Sequence, residues 1–378
     1  MNLSIKNLGD ICEFQGGSQP PKSQFVYEPK KDYVRFLQIR DFFSEKNHTY
    51  IPINKKNKLC NKDDIMIGRY GASVGKILTG KTGAYNVALM KAIPNEKVIN
   101  KKYLWYYFHS SYFQINLKKV STRQAQNGFS KEDIFYFPIL LPTLSIQQKI
   151  VAKLDKIFAE IDKAIAATEA NINNVKMLFE NYLNNYFDNN HDLTSMPMVD
   201  VCEELFAGGD VPKDRFSKLK TSKFFIPIFS NGEKNKGLYG FTDKPRVTKP
   251  SITISARGTI GYSEVRYEPF YPAIRLIVAT PKTELIELDY FKYAIKICKF
   301  INSGTSIPQL TIPHIKNYII KFPQSKEKQK ILLKKMINFD LNINQIVFLN
   351  SNKLIQLSKL KNSILQQAFN GELVKKAA

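Results

Sequence analysis

The sequence is poor in the residues that build disulfide frameworks and metal sites. Its 378 residues include only four cysteines, which lie far apart without a C-x-x-C pair at Cys12, Cys60, Cys202 and Cys298, and four unclustered histidines. This pattern disfavours a structural metal or a disulfide framework and indicates a reducing compartment, the cytoplasm. No apolar run is long enough to span a bilayer, and the N-terminus lacks the basic and apolar segments that mark export.

Acidic residues are also in short supply. There are 33 Asp and Glu against 56 Lys and Arg, which gives a net charge of +23. Lysine-rich composition by itself only keeps a protein soluble, but an excess this large also suits a polyanionic partner. Nucleic acid is favoured over membrane because no basic amphipathic anchor stands out.

The chain contains two copies of one pattern, offset by about 185 residues, and a period this long indicates two homologous domains rather than a solenoid. The matched pairs are "LGDICEFQGGSQPPK" (8–22) with "MVDVCEELFAGGDVPKD" (198–214), "DIMIGRYGASVGKI" (64–77) with "SITISARGTIGYSE" (251–264), "INKKYLWYYF" (99–108) with "IELDYFKYAI" (286–295), and residues 121–142 with residues 304–323.

Each copy ends in a long helical pattern with apolar residues three or four positions apart, as in a heptad repeat. The capping-box spacing of Ser145 and Gln148 predicts the start of the first helix, and Gly371 predicts the end of the second. Each helix would be roughly 60 Å long, so we expect the two seams to pack on each other. The seams are Ile150, Leu154, Ile157, Ile161, Ile165, Thr168, Ile172, Val175, Phe179, Tyr182 and Tyr186, then Leu332, Met336, Phe339, Ile343, Val347, Asn350, Leu354, Leu357, Lys361, Ile364 and Ala368.

The remainder of each copy predicts an α+β fold. Short β-rich runs such as "VRFLQI", "DIMIG", "SITIS" and "IRLIVAT" lie between Gly, Pro and Asn turns and precede an aromatic-rich helix. The tyrosines repeated in that helix suit either base stacking or core packing, and their recurrence at one offset favours the core. They are Tyr103, Tyr106, Tyr290 and Tyr293. The predicted domains are 1–144 and 191–325, each followed by a long spacer helix, 145–190 and 326–378.

Residues 75–82, "GKILTGKT", match the phosphate-binding pattern G-x-x-x-x-G-K-S/T. A working P-loop opens directly into a helix, whereas Gly83 and Asn86 follow here and no helix start is present. The second copy lacks the Gly-Lys-Thr portion, so we interpret the match as a coincidence. An amino-methyltransferase signature is also missing, since "QPPK" (19–22) has neither the acid nor the aromatic residue, and no catalytic triad or dyad emerges.

Two similar α+β domains, each followed by a long helix, resemble the specificity (S) subunit of type I restriction–modification systems. The resemblance covers nearly the whole chain and includes "LGDICEF", "IGRYGASVGKI" with "ISARGTIGY", "QQKIVAKLDKIFAEIDKAI" and "LKNSILQQAFNGELV". The second helix start, "SKEKQKILLKKMINFD", departs from the usual Q-x-x-I run.

The resemblance implies a non-catalytic subunit in which each domain reads one half of a bipartite double-stranded DNA site, while the helix pair sets the gap. The helices would dock two modification (M) subunits, which use S-adenosylmethionine to methylate adenine N6, and ATP- and Mg-dependent restriction (R) subunits. A stand-alone DNA-binding regulator with duplicated domains is the alternative, and an ATP-dependent enzyme using residues 75–82 is a third hypothesis.

Arg and Lys on Gly-rich loops can contact phosphates or guanine, and Gln and Asn can read adenine. The predicted DNA-contacting residues are Lys22, Arg69, Tyr70, Ser73, Lys76, Arg123, Gln126 and Asn127 in the first domain, and Lys213, Asn231, Arg257, Thr259, Ser306 and Gln309 in the second.

The midpoints of the two seams, Thr168 and Asn350, are both polar, and in an antiparallel pair they would meet and fix the register. We therefore predict that cysteines introduced at both positions cross-link under mild oxidation, as measured by non-reducing electrophoresis. A folded double variant that stays uncross-linked would contradict this register.

Overall fold

Most elements of the first half of the chain recur in the same order in the second half. The computed structural model describes residues 4–122, 128–298, 300 and 309–373. The first series is β1 (Ser4–Asn7), α1 (Leu8–Ile11), β2 (Cys12–Gly16), β3 (Tyr33–Leu37), β4 (Tyr50–Pro52), β5 (Leu59–Cys60), β6 (Ile65–Gly68), β7 (Ile77–Leu78), β8 (Gly83–Tyr85), β9 (Leu89–Pro94), α2 (Lys101–His109), α3 (Ser111–Ser121), α4 (Lys131–Phe135), β10 (Pro138–Leu141) and α5 (Leu144–Asn189).

The second series follows the same plan. It consists of β11 (Thr194–Pro197), α6 (Met198–Val201), β12 (Cys202–Ala207), β13 (Ile226–Phe229), β14 (Leu238–Thr242), β15 (Ser251–Ile254), β16 (Ser263–Arg266), β17 (Tyr271–Pro272), β18 (Ile277–Pro281), α7 (Leu288–Lys296), α8 (Ile312–Ile315), β19 (Ile319–Phe322) and α9 (Lys326–Phe369). The predicted α+β class with a long helix after each domain is confirmed.

The sheets of the two halves share one topology, except that the second sheet of the first half has an additional strand, β5. An antiparallel sheet has the order β2-β9-β6-β7 in the first half and β12-β18-β15-β16 in the second. A second sheet contains a parallel pair in both halves, β3 with β8 and β13 with β17. The strand that precedes each long helix pairs with the first strand of its own half, β10 with β1 and β19 with β11.

The chain divides into two compact units, and the division cuts through both long helices. The first unit comprises Met1–Thr168 and Asn352–Ala378, and the second comprises Glu169–Ser351. Each unit therefore contains one set of sheets, part of α5 and part of α9. Within the described residues, no helix combines the length and apolar character that crossing a membrane requires.

The aromatic-rich helices α2 and α7 lie in the cores of their units. Tyr103, Tyr106, Tyr290 and Tyr293 are all buried, so the interpretation of these tyrosines as core residues is confirmed. Tyr103 also donates a hydrogen bond to the carbonyl of Leu140 (2.9 Å), which ties the helix to β10. A base could not stack on rings enclosed in this way.

In the first unit, α5 packs against the end of α9. Lys361 forms an ion pair with Asp162 and lies over the ring of Phe158 at 5.2 Å from its centroid. Earlier residues of α5 share a core with later residues of α9, among them Ile150 with Phe369. This order makes the helices antiparallel.

In the second unit, the ring of Phe339 on α9 contacts two rings of α5, Phe179 at 5.7 Å and Tyr182 at 4.7 Å between centroids. Every predicted seam residue of both helices is buried or half-buried. Helix α9 ends at Phe369, and Gly371 follows with φ +90, as the predicted glycine stop requires.

The start of α5 differs from the prediction. The helix begins at Leu144, so Ser145 lies inside its first turn, and the predicted capping box with Gln148 is wrong. The residue that matters is Gln147, which is fully buried. Its amide accepts from the Asn100 N–H (2.7 Å) and donates to the carbonyls of Val98 (3.0 Å) and Pro142 (2.8 Å).

Gln329 makes the same three hydrogen bonds at the start of α9. It accepts from the Glu287 N–H (2.7 Å) and donates to the carbonyls of Leu285 (2.9 Å) and Pro323 (2.7 Å), again with no solvent exposure. Asn100 and Glu287 are the N-cap residues of α2 and α7. Each glutamine therefore joins a long helix to the aromatic helix of its own unit.

We predict that Gln147→Ala lowers the stability of the protein by about 3 kcal/mol, because one buried N–H and two buried carbonyls lose their partner. For a unit of this size the midpoint of thermal unfolding should fall by roughly 6–12 °C in scanning calorimetry. The matched control is Gln148→Ala, because Gln148 is the exposed neighbour. Equal losses for the two variants would contradict the assigned role of Gln147.

Candidate nucleic-acid interface

The turn after the central strand has the same hydrogen bonding in both units. In the first unit, after β6, the Gly68 N–H donates to Lys76 O and the Gly75 N–H donates to Gly68 O, both at 2.9 Å. In the second unit, after β15, the Ser255 N–H donates to Tyr262 O (2.8 Å) and the Gly261 N–H to Ser255 O (2.9 Å). Turn 68–75 and turn 255–261 are therefore equivalent.

A glycine with positive φ closes each of these turns, Gly75 at +79 and Gly261 at +85. Other side chains rarely adopt this conformation, which accounts for the glycine shared by the two sequences. Each turn also carries an arginine, Arg69 in the first and Arg257 in the second. The predicted Arg- and Gly-bearing turn is thus one structural feature present in both units.

Arg69 is held in place by its surroundings. Its guanidinium donates to the carbonyl of Phe129 (3.2 Å) and lies 5.1 Å from the centroid of the Tyr70 ring. Tyr70 itself is 41% exposed. Further along the turn, the ammonium of exposed Lys76 lies 5.1 Å from the ring centroid of Phe43, which is also exposed. An arginine and a lysine accompanied by exposed rings form a surface on which phosphates and bases can bind.

Residues 75–82 do not have the geometry of a P-loop. The Gly80-Lys81-Thr82 segment connects β7 to β8, so a strand and not a helix follows it. Lys81 forms an ion pair with Glu45, and this pairing, together with Arg35, lowers the pKa of the Glu45 carboxyl to about 2. The geometry thus agrees with our interpretation of the match as a coincidence.

The second unit brings three of its predicted residues together. The Arg257 guanidinium donates two hydrogen bonds to Oε1 of Gln309, at 2.8 and 3.2 Å. Asn231 accepts from the N–H of Ala256, the neighbour of Arg257, at 2.7 Å. Its amide nitrogen donates to Ile274 O at 2.5 Å. Asn231 therefore positions two loops relative to each other, and its contact with DNA stays a prediction.

The other predicted residues are more scattered. Lys22, Lys213 and Thr259 are exposed, and Ser73 is half-buried in the short 3-10 turn Gly71–Ser73. Arg123, Gln126, Asn127 and Ser306 lie outside the described residues.

The predicted register pair stays untested. The Thr168 hydroxyl donates to Ala164 O (2.6 Å) and the Asn350 amide to Ile346 O (2.9 Å), each within its own helix.

Sequence reasoning missed two arginines near this site. Arg246 and Arg275 are both exposed, and among the described residues no carboxylate lies within ion-pair distance of either guanidinium. The run "IRLIVAT" predicts a strand over its whole length, but β18 begins only at Ile277, so Arg275 lies in the preceding turn. The repeat could have identified this turn, because it aligns residues 273–276 with the turn at residues 86–89.

Both turns lie at one end of the sheet in their unit. Strand pairing places Gly16, Gly68 and Leu89 together, where β2 and β6 end and β9 begins. The opposite end pairs Cys12 with Pro94 and leads on to α2. The arginine-bearing turn is therefore separated by the length of the sheet from the end that connects to α2.

Comparison with known proteins gives a consistent assignment. The family model described as the type I restriction modification DNA specificity domain matches the chain twice, over residues 2–174 and 190–357. A Mycoplasma pneumoniae protein named as a type I specificity subunit, S.MpnORF89P, is 28% identical over 274 residues, which cover 69% of this chain and 79% of that protein. Another from this organism, S.MpnORF507P, is 31% identical over 191 residues, 50% of this chain and 52% of that protein, so the match spans about half the length of that relative.

Two solved structures share the fold. One belongs to a study of complex assembly and conformational transition of the type I R–M system, with a TM-score of 0.76, 16% identity and 97% of both chains covered. The other is the HsdS subunit from Thermoanaerobacter tengcongensis, with a TM-score of 0.52, 15% identity and coverage of 98% of this chain and 97% of that chain. Since the two family matches together span most of the sequence, the chain belongs to the type I restriction–modification DNA specificity family and carries two specificity domains.

Proposed function

We propose that this chain is the non-catalytic specificity subunit of a type I restriction–modification complex, in which each unit reads one half of a bipartite DNA site. The observation that carries the proposal is the repeated turn, which presents Arg69 in one unit and Arg257 in the other on the same hydrogen-bonded frame. Two equivalent readers suit two half-sites. The net charge of +23 supplies the attraction to the phosphate backbone.

The long helices support a second role, as a scaffold for catalytic subunits. Within the second unit, α9 exposes Ile337, Leu341 and Phe348, which are 37%, 61% and 65% accessible. Their spacing of four and seven residues places them on one face, away from the seam formed by Met336, Phe339 and Ile343. We call Ile337, Leu341 and Phe348 the α9 apolar face.

The α9 apolar face favours a scaffold over a stand-alone regulator, because a regulator requires only the seam between its own helices. Exposed apolar side chains that recur along one helix face are typical of an interaction surface. We propose that this face docks an adenine-N6 methyltransferase (M) subunit, with two such subunits and the restriction (R) subunits in the full complex. S-adenosylmethionine, ATP and Mg would then be used by those partners, in the cytoplasm.

Replacement of Arg257 should affect one half-site only. The recognised site is first obtained by mapping N6-methyladenine in genomes with and without the gene, where a two-part motif with a fixed gap is expected. In the complex with its methyltransferase subunits, Arg257→Ala should then weaken binding to the site by about 1–3 kcal/mol and relax discrimination at one half. Binding is measured on duplexes altered in one half-site at a time, with Arg257→Lys as the charge-preserving control. Equal losses at both halves would contradict two independent readers.

Replacement of a residue in the α9 apolar face should distinguish a scaffold function from a stand-alone regulator function. We expect Leu341→Lys to remove most of the methyltransferase subunit that co-purifies with the chain, because a charge at a buried interface is strongly unfavourable. Asn342→Lys adds the same charge at an exposed position of the same helix, turned about 100° around the axis from Leu341, and should leave co-purification unchanged. A wild-type chain that binds its site but retains no methyltransferase would favour the regulator.

A further inference from the structure

The turn at residues 273–276 has an unusual backbone. The Leu276 N–H donates to Ala273 O at 3.1 Å, which closes a four-residue turn. Both central residues are in the left-handed region, Ile274 with φ +55 and Arg275 with φ +64. Turns of this type normally place Asn, Asp or Gly at these positions, and a β-branched residue such as isoleucine is a strong outlier there.

The surrounding structure holds this turn firmly. The Ala273 N–H donates to Phe229 O and the Ile274 N–H to Gly209 O, both at 2.8 Å. The Asn231 amide donates to Ile274 O. Ala273 and Leu276, which flank the central pair, are buried. The unfavourable conformation is thus imposed by several contacts and is not that of a free loop.

The fold does not require the strain, as the equivalent turn of the first unit shows. There the Leu89 N–H donates to Asn86 O and the Asn86 N–H to Leu37 O, both at 3.0 Å, which matches the bonding of Leu276 and Ala273. Its central residues, Val87 and Ala88, have no positive φ. The same hydrogen bonds therefore form without left-handed residues when the central pair is Val87 and Ala88. Strained residues that a fold does not require cluster at functional sites.

The strained turn lies beside the candidate interface of the second unit. Asn231 joins Ile274 directly to Ala256, the neighbour of Arg257. On the other side, a Cβ at Gly209 would lie 3.5 Å from the guanidinium of Arg246. Ile274 is 38% exposed, and Arg275 is exposed as well. The turn thus presents an apolar side chain and a guanidinium between two further arginines.

We propose that turn 273–276 is a base-reading element of the second domain, with Arg275 contacting the O6 and N7 edge of a guanine and Ile274 packing on an adjacent thymine methyl group. Arginine reads guanine through two parallel hydrogen bonds, and apolar side chains read thymine through its methyl group. This inference rests on the proposed DNA-reading function and names two specificity-determining residues for it.

The first test replaces Arg275 in the complex with its methyltransferase subunits. Arg275→Ala should weaken binding to the cognate duplex by roughly ten- to a hundredfold, with the loss confined to one base pair of the second half-site. Binding to an unrelated duplex should change much less. An equal loss on cognate and unrelated duplexes would overturn the proposal in favour of a phosphate contact, and so would unchanged cognate binding.

The second test uses the strain itself. Ile274→Gly removes the unfavourable φ, so the midpoint of thermal unfolding should stay the same or rise while discrimination in the second half-site falls. The matched control is Val87→Gly in the unstrained turn of the first unit, which should not raise the midpoint and should leave the second half-site unaffected. A fall in the midpoint for Ile274→Gly, or full retention of discrimination, would overturn the role of Ile274.

The outcomes separate this inference from the function on which it rests. If the wild-type complex shows no preference for a bipartite site, the proposed function itself fails. If the wild type reads such a site and Arg257→Ala relaxes its second half while Arg275→Ala does not, only the role of turn 273–276 fails.

Discussion

A buried glutamine amide at the start of each long helix is the contact on which the architecture depends. Gln147 and Gln329 lie at equivalent positions, and each satisfies two carbonyls and one N–H that belong to other elements of its unit. Because a buried amide has directional donors and acceptors, it fixes the helix more tightly than apolar packing alone would. The same amide meets the N-cap residue of the aromatic helix, so the sheet, the aromatic helix and the long helix of a unit are joined at one point.

This arrangement separates two tasks within each unit. One end of the antiparallel sheet leads to the aromatic helix and through it to the long helix, whereas the other end carries the arginine-bearing turn. Side chains such as Arg257 and Arg275 can therefore change without disturbing the contacts of Gln329. The physical reason is distance, since substitutions at separated sites without shared partners act nearly independently. A frame of this kind tolerates new recognition residues while its attachment to the helices stays the same.

Most of the fold could be predicted from the sequence, because its main elements follow periodic or repeated patterns. The heptad seams, the core tyrosines Tyr103 and Tyr290 and the glycine stop at Gly371 all follow from spacing or from recurrence in both copies. The predicted capping box named Gln148, whereas the structural role belongs to its neighbour Gln147. The burial of Gln147 depends on contacts with Val98 and Pro142, and no local sequence pattern indicates those contacts. The prediction for Asn231 was incomplete for a similar reason. An asparagine beside a glycine suggests a turn or a DNA contact, and only the fold shows that it joins two loops.

The two copies of the domain differ in the backbone of one equivalent turn. Turns 86–89 and 273–276 have the same closing hydrogen bonds, yet only the second adopts left-handed conformations at its central residues. Because the domain is duplicated, one copy serves as a reference for the other. Turn 86–89 shows that the shared hydrogen bonds form without left-handed residues, so the left-handed pair in turn 273–276 is a feature of the second copy alone. Within turn 273–276 the positive φ angles belong to Ile274 and Arg275, whose side chains are exposed. In the proposed function the two units read different half-sites, so exposed residues of this kind are the ones that have to differ between them.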